Sequence, residues 1–200
     1  MKSLAIEREF GSGGREVGML VAKKLGIPYY DSELLIKTAE DKGFDVGQLK
    51  NFDEQMVGSF LYSLALAANP EQYNQQTKVY AMFQGLRTTM IDIVGAGPAV
   101  LIGRCSTEVL RDTPNVLRSF LYCSDMQQRI DRTVQGQTMS EGAAQKLIAR
   151  KDRQRENYFH FFTQRNWKDR ENYDMELNTA SFAPAACADI LAEIMQNNGY

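Results

Sequence analysis

The stretch LAIEREFGSGGREVGMLVAKKL, residues 4–25, decides the architecture. An apolar run reaches Ile6, a glycine-rich turn follows at Gly11-Ser12-Gly13-Gly14, and an amphipathic helix begins at Arg15 with Val17, Leu20, Val21 and Leu25 on one face. A turn of this kind between a buried strand and a helix gathers backbone N–H groups and the positive end of a helix dipole at one point, which suits an anion. In the usual phosphate-binding loop, G-x-x-x-x-G-K-[ST], the lysine reaches the outer phosphates and the hydroxyl holds Mg²⁺. Here Gly14 follows Gly13, and Arg15 and Glu16 come next. Glycines let the backbone approach an anion closely, and Ser12 adds a hydroxyl. Arg15 is the cation to take over the charge of the lysine, one position late and with a bulkier, forked head.

Outward from this stretch, Gly26 ends the helix and Ile27-Pro28-Tyr29-Tyr30 reads as a second short strand. Asp31 or Ser32 then caps a helix starting near Glu33, which completes a strand-helix-strand unit of the doubly wound type. Gly43, Gly47 and Gly58 interrupt the pattern beyond Asp41, and a long helix is expected from about Thr77 to Ile93. Pro98-Ala-Val-Leu-Ile102 reads as a central parallel strand, apolar throughout and ending in Gly103-Arg104, so its carboxyl end faces the ligand crevice. Val116–Tyr122 is a further strand. The capping-box signatures Ser124-x-x-Gln127 and Thr138-x-x-Glu141 open two more helices, the second strongly basic and running to about Tyr158. Tyr173–Leu177 is a last strand, and Pro184–Met195 a closing amphipathic helix.

Two hundred residues, 44% of them hydrophobic, suffice for one domain with a full core. A net charge of −2 argues against a general nucleic-acid binder. Cys105, Cys123 and Cys187 are widely spaced and read as reduced core residues, and the single histidine, His160, builds no metal cluster with them. The amino terminus does not read as a signal peptide and no apolar run approaches a membrane span, so a soluble cytoplasmic protein is expected.

Arginines supply the remaining signal. Arg104 follows the central strand directly, where a cation points into the crevice, the alternative being a salt bridge at the sheet edge. Arg150 and Arg153 are three apart on one predicted helix and can clamp a phosphate together, with Arg155 nearby, or else form a solvated charged face. Asp31 and Lys37 flank the second helix near a strand end. Tyr158, Phe159, Phe161, Phe162 and Trp167 fit packing against the core, with RNA stacking as the other reading.

Together, REFGSGGREVG, KKLGIPYYDSELL, VLIGRC, FLYCSDMQQRIDR, the arginine-rich helix and YDMELNT resemble the cytidylate kinase-like family, a branch of the P-loop nucleoside monophosphate kinases, over nearly the whole chain. The resemblance implies a three-layer α/β/α P-loop NTPase fold with a parallel sheet, a helical insertion and an arginine-rich lid. The implied division has a core of 1–40, 95–137 and 170–200, a nucleotide-binding insertion over about 41–94 and a lid over about 138–169. It implies phosphoryl transfer from ATP, with Mg²⁺, to a nucleoside monophosphate or another small acceptor. Gly11, Ser12, Gly13, Gly14, Arg15 and Arg155 would hold the donor, Asp31, Lys37 and Arg104 the acceptor, and Arg15, Arg104, Arg150 and Arg153 would assist transfer. Against the family pattern, Cys105 replaces an Asp, Lys37 an Arg and Asn178 an Asp. A nucleotide-binding sensor without turnover is the alternative function.

Overall fold

The computed structural model describes residues 1–46 and 70–197. Five parallel strands form one sheet in the order β2-β3-β1-β4-β5, with β1 at Ser3–Arg8, β2 at Tyr29–Tyr30, β3 at Val100–Ile102, β4 at Val116–Tyr122 and β5 at Met175–Asn178. Alternation along β1 sorts its side chains between two layers. Leu4 and Ile6 pack with Val17 and Val21 of α1 (Gly14–Leu25) and with Leu191 and Met195 of α7 (Pro184–Gln196). Ala5 faces the other way, toward Leu35 of α2 (Ser32–Asp41) and Leu86 and Met90 of α3 (Pro70–Ala96). The fold is thus the expected three-layer α/β/α arrangement, with β1 at the centre.

Several boundaries depart from expectation for local physical reasons. Strand β1 runs two residues past Ile6 because the charged pair Glu7 and Arg8 continues the ladder opposite Phe120 and Leu121, with Glu7 buried. Helix α3 begins at Pro70 rather than near Thr77, since proline suits a first helical turn and Glu, Gln and Lys propagate a helix well. The expected breaks at Gly47 and Gly58 lie outside the described residues. Helix α5 (Met126–Gly136) is capped by Asp125, whose carboxylate accepts from the N–H groups of Gln127 and Gln128, and not by Ser124. Ser140 rather than Thr138 caps α6 (Glu141–Thr163). In both cases a competent cap residue closer to the apolar run takes the position. Gly26 ends α1 at φ +64°, as expected of a left-handed cap.

Helix α6 lies beside α5 and reaches the same end of the sheet as the loop between β1 and α1. Tyr158, Phe159, Phe161 and Trp167 are all at least nine-tenths buried, against Phe83 and Phe120. They pack the core, which leaves those four unable to stack on RNA.

Candidate phosphate-binding site

The loop from Glu9 to Gly13 turns back through two left-handed glycines, Gly11 at φ +73° and Gly13 at φ +82°. At Gly11 a Cβ would also stand 2.8 Å from the carbonyl oxygen of Arg129, so conformation and space both require glycine. Ser12 corrects its expected role. Its hydroxyl is fully buried, donates to the Glu9 carbonyl (2.8 Å) and accepts from the N–H of Gly14 (3.3 Å), so it braces the loop from inside. Thr179 adds a second brace by donating to the Ser12 carbonyl at 2.7 Å. Among the described residues, no acceptor is paired with the N–H groups of Gly13, Arg15 or Glu16. A helix end with such open donors carries partial positive charge and suits an anion.

A buried guanidinium holds this loop against the arginine-rich helix. Arg129, with 5% of its side chain exposed, donates to the carbonyl of Phe10, to Glu9 and to Asp152. Asp152 in turn accepts from the N–H of Phe10 at 2.7 Å. Arg155 donates to the carbonyl of Arg8 (2.9 Å) and lies over the ring of Phe10, 5.4 Å from its centroid. The expected clamp of Arg150 and Arg153 is not formed. Both are exposed, because the inward phase of α6 runs through buried Ile148, half-buried Asp152 and Arg155, and buried Phe159, at spacings of four, three and four. Apolar Ile148 and Phe159 carried the signal for that phase.

On the other side of the loop, Asp31 caps α2 by accepting from the N–H groups of Glu33 and Leu34, while its second oxygen accepts from Nε (3.2 Å) and Nη2 (2.9 Å) of Arg15. Partial burial pushes the Asp31 carboxyl up, but the helix donors and the Arg15 guanidinium outweigh it and hold the group below its ordinary value. Arg15 therefore turns away from the loop toward β2, and does not stand over the glycines in place of a lysine. Beyond it opens a pocket of about 990 Å³ lined by Arg15, Asp31, Ser32, Lys37 and Arg104 among others, so the structure brings together every residue expected on the acceptor side.

Arg104 enters that pocket from a strained corner. Gly103, Arg104 and Cys105 all have positive φ (79°, 59° and 59°), which folds the chain back at the end of β3 into the short helix α4 (Ser106–Val109). The buried Arg104 donates from Nε to the Ser32 hydroxyl and lies 5.2 Å from the ring centroid of Tyr158. Cys105 is fully enclosed, and burial pushes its thiol well up, so it is a packing residue without nucleophilic character. An apolar cavity of about 1110 Å³ opens on the opposite side of Arg15, along α1 from Phe10 and Gly13 toward the end of α5.

Among the described residues, the loop lacks the side-chain hydroxyl that usually holds Mg²⁺. The first turn of α1 reads Gly14-Arg15-Glu16 with no hydroxyl, and among the described residues no three His, Cys, Asp or Glu side chains converge. Arg129 and Asp152, which the motifs do not single out, complete the surroundings of the loop. Glu7 is buried and accepts from the Trp167 indole (3.4 Å), lining a small void with Arg8, Arg104, Arg155 and Tyr158.

A parallel sheet of order 2-3-1-4-5, with a glycine loop between its central strand and the following helix, defines the P-loop kinase fold. Within that class the chain belongs to the cytidylate kinase-like family, whose sequence profile matches residues 3–181. A solved structure of an uncharacterized protein from Eubacterium ventriosum is similar over 99% of this chain and all of that one, at 23% identity and a TM-score of 0.73. Shikimate kinase from Bacteroides thetaiotaomicron matches over 98% and 99% of the two chains, at 12% identity and a TM-score of 0.55. Over 128 residues the chain is also 30% identical to a protein named uronate isomerase from Corynebacterium glutamicum, a match spanning 64% of this chain and only 22% of that protein. No described helix is long and apolar enough to cross a membrane.

Proposed function

We propose that this protein is a phosphotransferase that binds ATP at the Gly11–Glu16 loop and passes its terminal phosphoryl group to a nucleoside monophosphate or another small acceptor held by Asp31, Lys37 and Arg104. The observation that carries this reading is the adjacency of open N–H donors on the first turn of α1 to a pocket that sets the cations Arg15, Lys37 and Arg104 among the carboxylates Asp31, Glu33, Glu40 and Asp41. Phosphoryl transfer asks mainly for positioned reactants and surrounding cations, which is what such a pair supplies. In this reading α6 is a lid, the segment around α3 is an insertion on the acceptor side, and the whole chain works as one domain. A divalent ion would arrive on the phosphates of the nucleotide, since among the described residues no three His, Cys, Asp or Glu side chains form a cage for it.

A second reading, a nucleotide sensor without turnover, is favoured by Gly14, where no lysine stands. Thermal-shift titration with ATP and ADP, followed by an assay for ADP release with nucleoside monophosphates and small hydroxylated acceptors, separates the two. Ligand at a hundred times its Kd is expected to stabilise the fold by about 2.7 kcal/mol. Release of ADP dependent on an acceptor supports the transferase. Binding without release supports the sensor, and no stabilisation by either nucleotide overturns both.

A further inference from the structure

Set on Gly13, the phosphate-binding pattern G-x-x-x-x-G-K places its first glycine at position 8 and its lysine at position 14. The chain has Arg8 and Gly14 there, so glycine and cation have changed places. The structure shows that the two positions compete for one space. A Cβ on Gly14 would lie 2.6 Å from the Cβ of Arg8 and 2.9 Å from its Cγ, closer than real side chains approach, so residue 14 has no room for a side chain while residue 8 is an arginine.

The path of Arg8 beyond that point is equally constrained. Strand β3 adjoins β1, and its end is tied there by the Gly103 N–H donating to the Ile6 carbonyl at 2.8 Å. The Arg8 guanidinium crosses to this end and occupies the place a Cβ on Gly103 would take. It thus sits at the carboxyl ends of the two central strands, between the first turn of α1 and Arg104. Arg155 holds the Arg8 carbonyl and so fixes the backbone from which the side chain departs.

We propose that Arg8 is the phosphate-facing cation of this loop, reaching the terminal phosphoryl group from the strand side and replacing the lysine that α1 lacks. This rests on the reading of the site as one that binds ATP. In the transfer, the bond between the γ-phosphorus and the bridging oxygen of ADP breaks as a bond to the acceptor oxygen forms, and the acceptor proton passes to solvent. Arg8 contributes positive charge and forked N–H donors to the phosphoryl oxygens and moves no proton.

The test titrates ATP and ADP into the full chain as wild type, Arg8→Met, Gly14→Lys and the double variant Arg8→Gly/Gly14→Lys, with melting temperatures measured without nucleotide. Wild type is expected to bind ATP more tightly than ADP. Arg8→Met is expected to lose about tenfold or more in ATP affinity and less than about threefold in ADP affinity, because only ATP carries the group that Arg8 faces. Gly14→Lys alone should melt lower, and the double variant should regain both stability and the preference for ATP. Wild-type ATP binding with equal or no losses in Arg8→Met overturns the role of Arg8 while leaving the site standing. If Arg8→Met fails to fold, the double variant decides: folded with an ATP preference it supports the proposal, folded without one it overturns it. Binding of neither nucleotide by wild type overturns the site reading and this proposal together.

Discussion

The loop and the pocket beside it are built by opposite means. The loop is held from beneath by buried groups: Arg129 on Glu9, Asp152 and the Phe10 carbonyl, Ser12 and Thr179 on the backbone. Its open donors are main-chain N–H groups that cannot swing. Apart from the buried Arg104, the charged walls of the pocket stand on exposed or half-buried positions, with Arg15 61% exposed and tethered to a single carboxylate. For the proposed transferase, a rigid cradle next to an adjustable wall suits a constant donor and a variable acceptor.

Breaking the buried side of this contrast should have the largest effect. Arg129→Met strands Glu9 and Asp152 without their shared cation and is expected to cost about 3–5 kcal/mol, read from denaturant unfolding. A loss below about 1 kcal/mol would mean that the loop is not anchored through this residue. On the adjustable side, Asp31→Ala removes a helix cap and should cost about 1 kcal/mol. Asp31→Asn keeps the cap and isolates the charge. Because the Asp31 carboxyl is held below its ordinary value, its ionised form stabilises the fold in full above that ordinary value, and the contribution disappears as the pH falls through the lower, folded one. The Asn variant should therefore lose less stability than wild type between neutral and acid pH in melts across that range, and parallel curves would remove the Arg15–Asp31 tether from the account. The smallest effects belong to the outer face of α6. Arg150→Ala and Arg153→Ala should stay within about 0.5 kcal/mol of wild type and leave ATP titrations unchanged, whereas Arg155→Ala should weaken them.

Much of the architecture was legible in the chain because its signals are local. Glycines at 11, 13 and 26 fix turns, Asp31 caps, and the Val100–Ile102 run can only be a buried strand. The grouping of Asp31 and Arg104 around one pocket was legible too, since both follow strand ends directly. What escaped is what depends on distance. Nothing near Asp152 in sequence announces that it meets Phe10, 142 residues away, and the placement of Arg8 depends on the missing side chains of Gly14 and Gly103 at once. Spacing alone left Arg150 and Arg153 as either a clamp or a solvated face, and the phase set by Ile148 and Phe159 turns them to solvent. Ser12 was misjudged because a hydroxyl among glycines looks available until its two internal partners are seen.

The corner at Gly103-Arg104-Cys105 sets durability against alignment. Arg104 and Cys105 occupy a left-handed conformation that costs residues other than glycine of order 1–3 kcal/mol each, and that same corner aims the Arg104 guanidinium at Ser32. A glycine at position 105 would relax the bend and release the aim together. Laboratory selection for heat-hardy variants should therefore settle on this corner early, and the survivors should be tougher proteins whose Arg104 is less firmly aimed into the pocket.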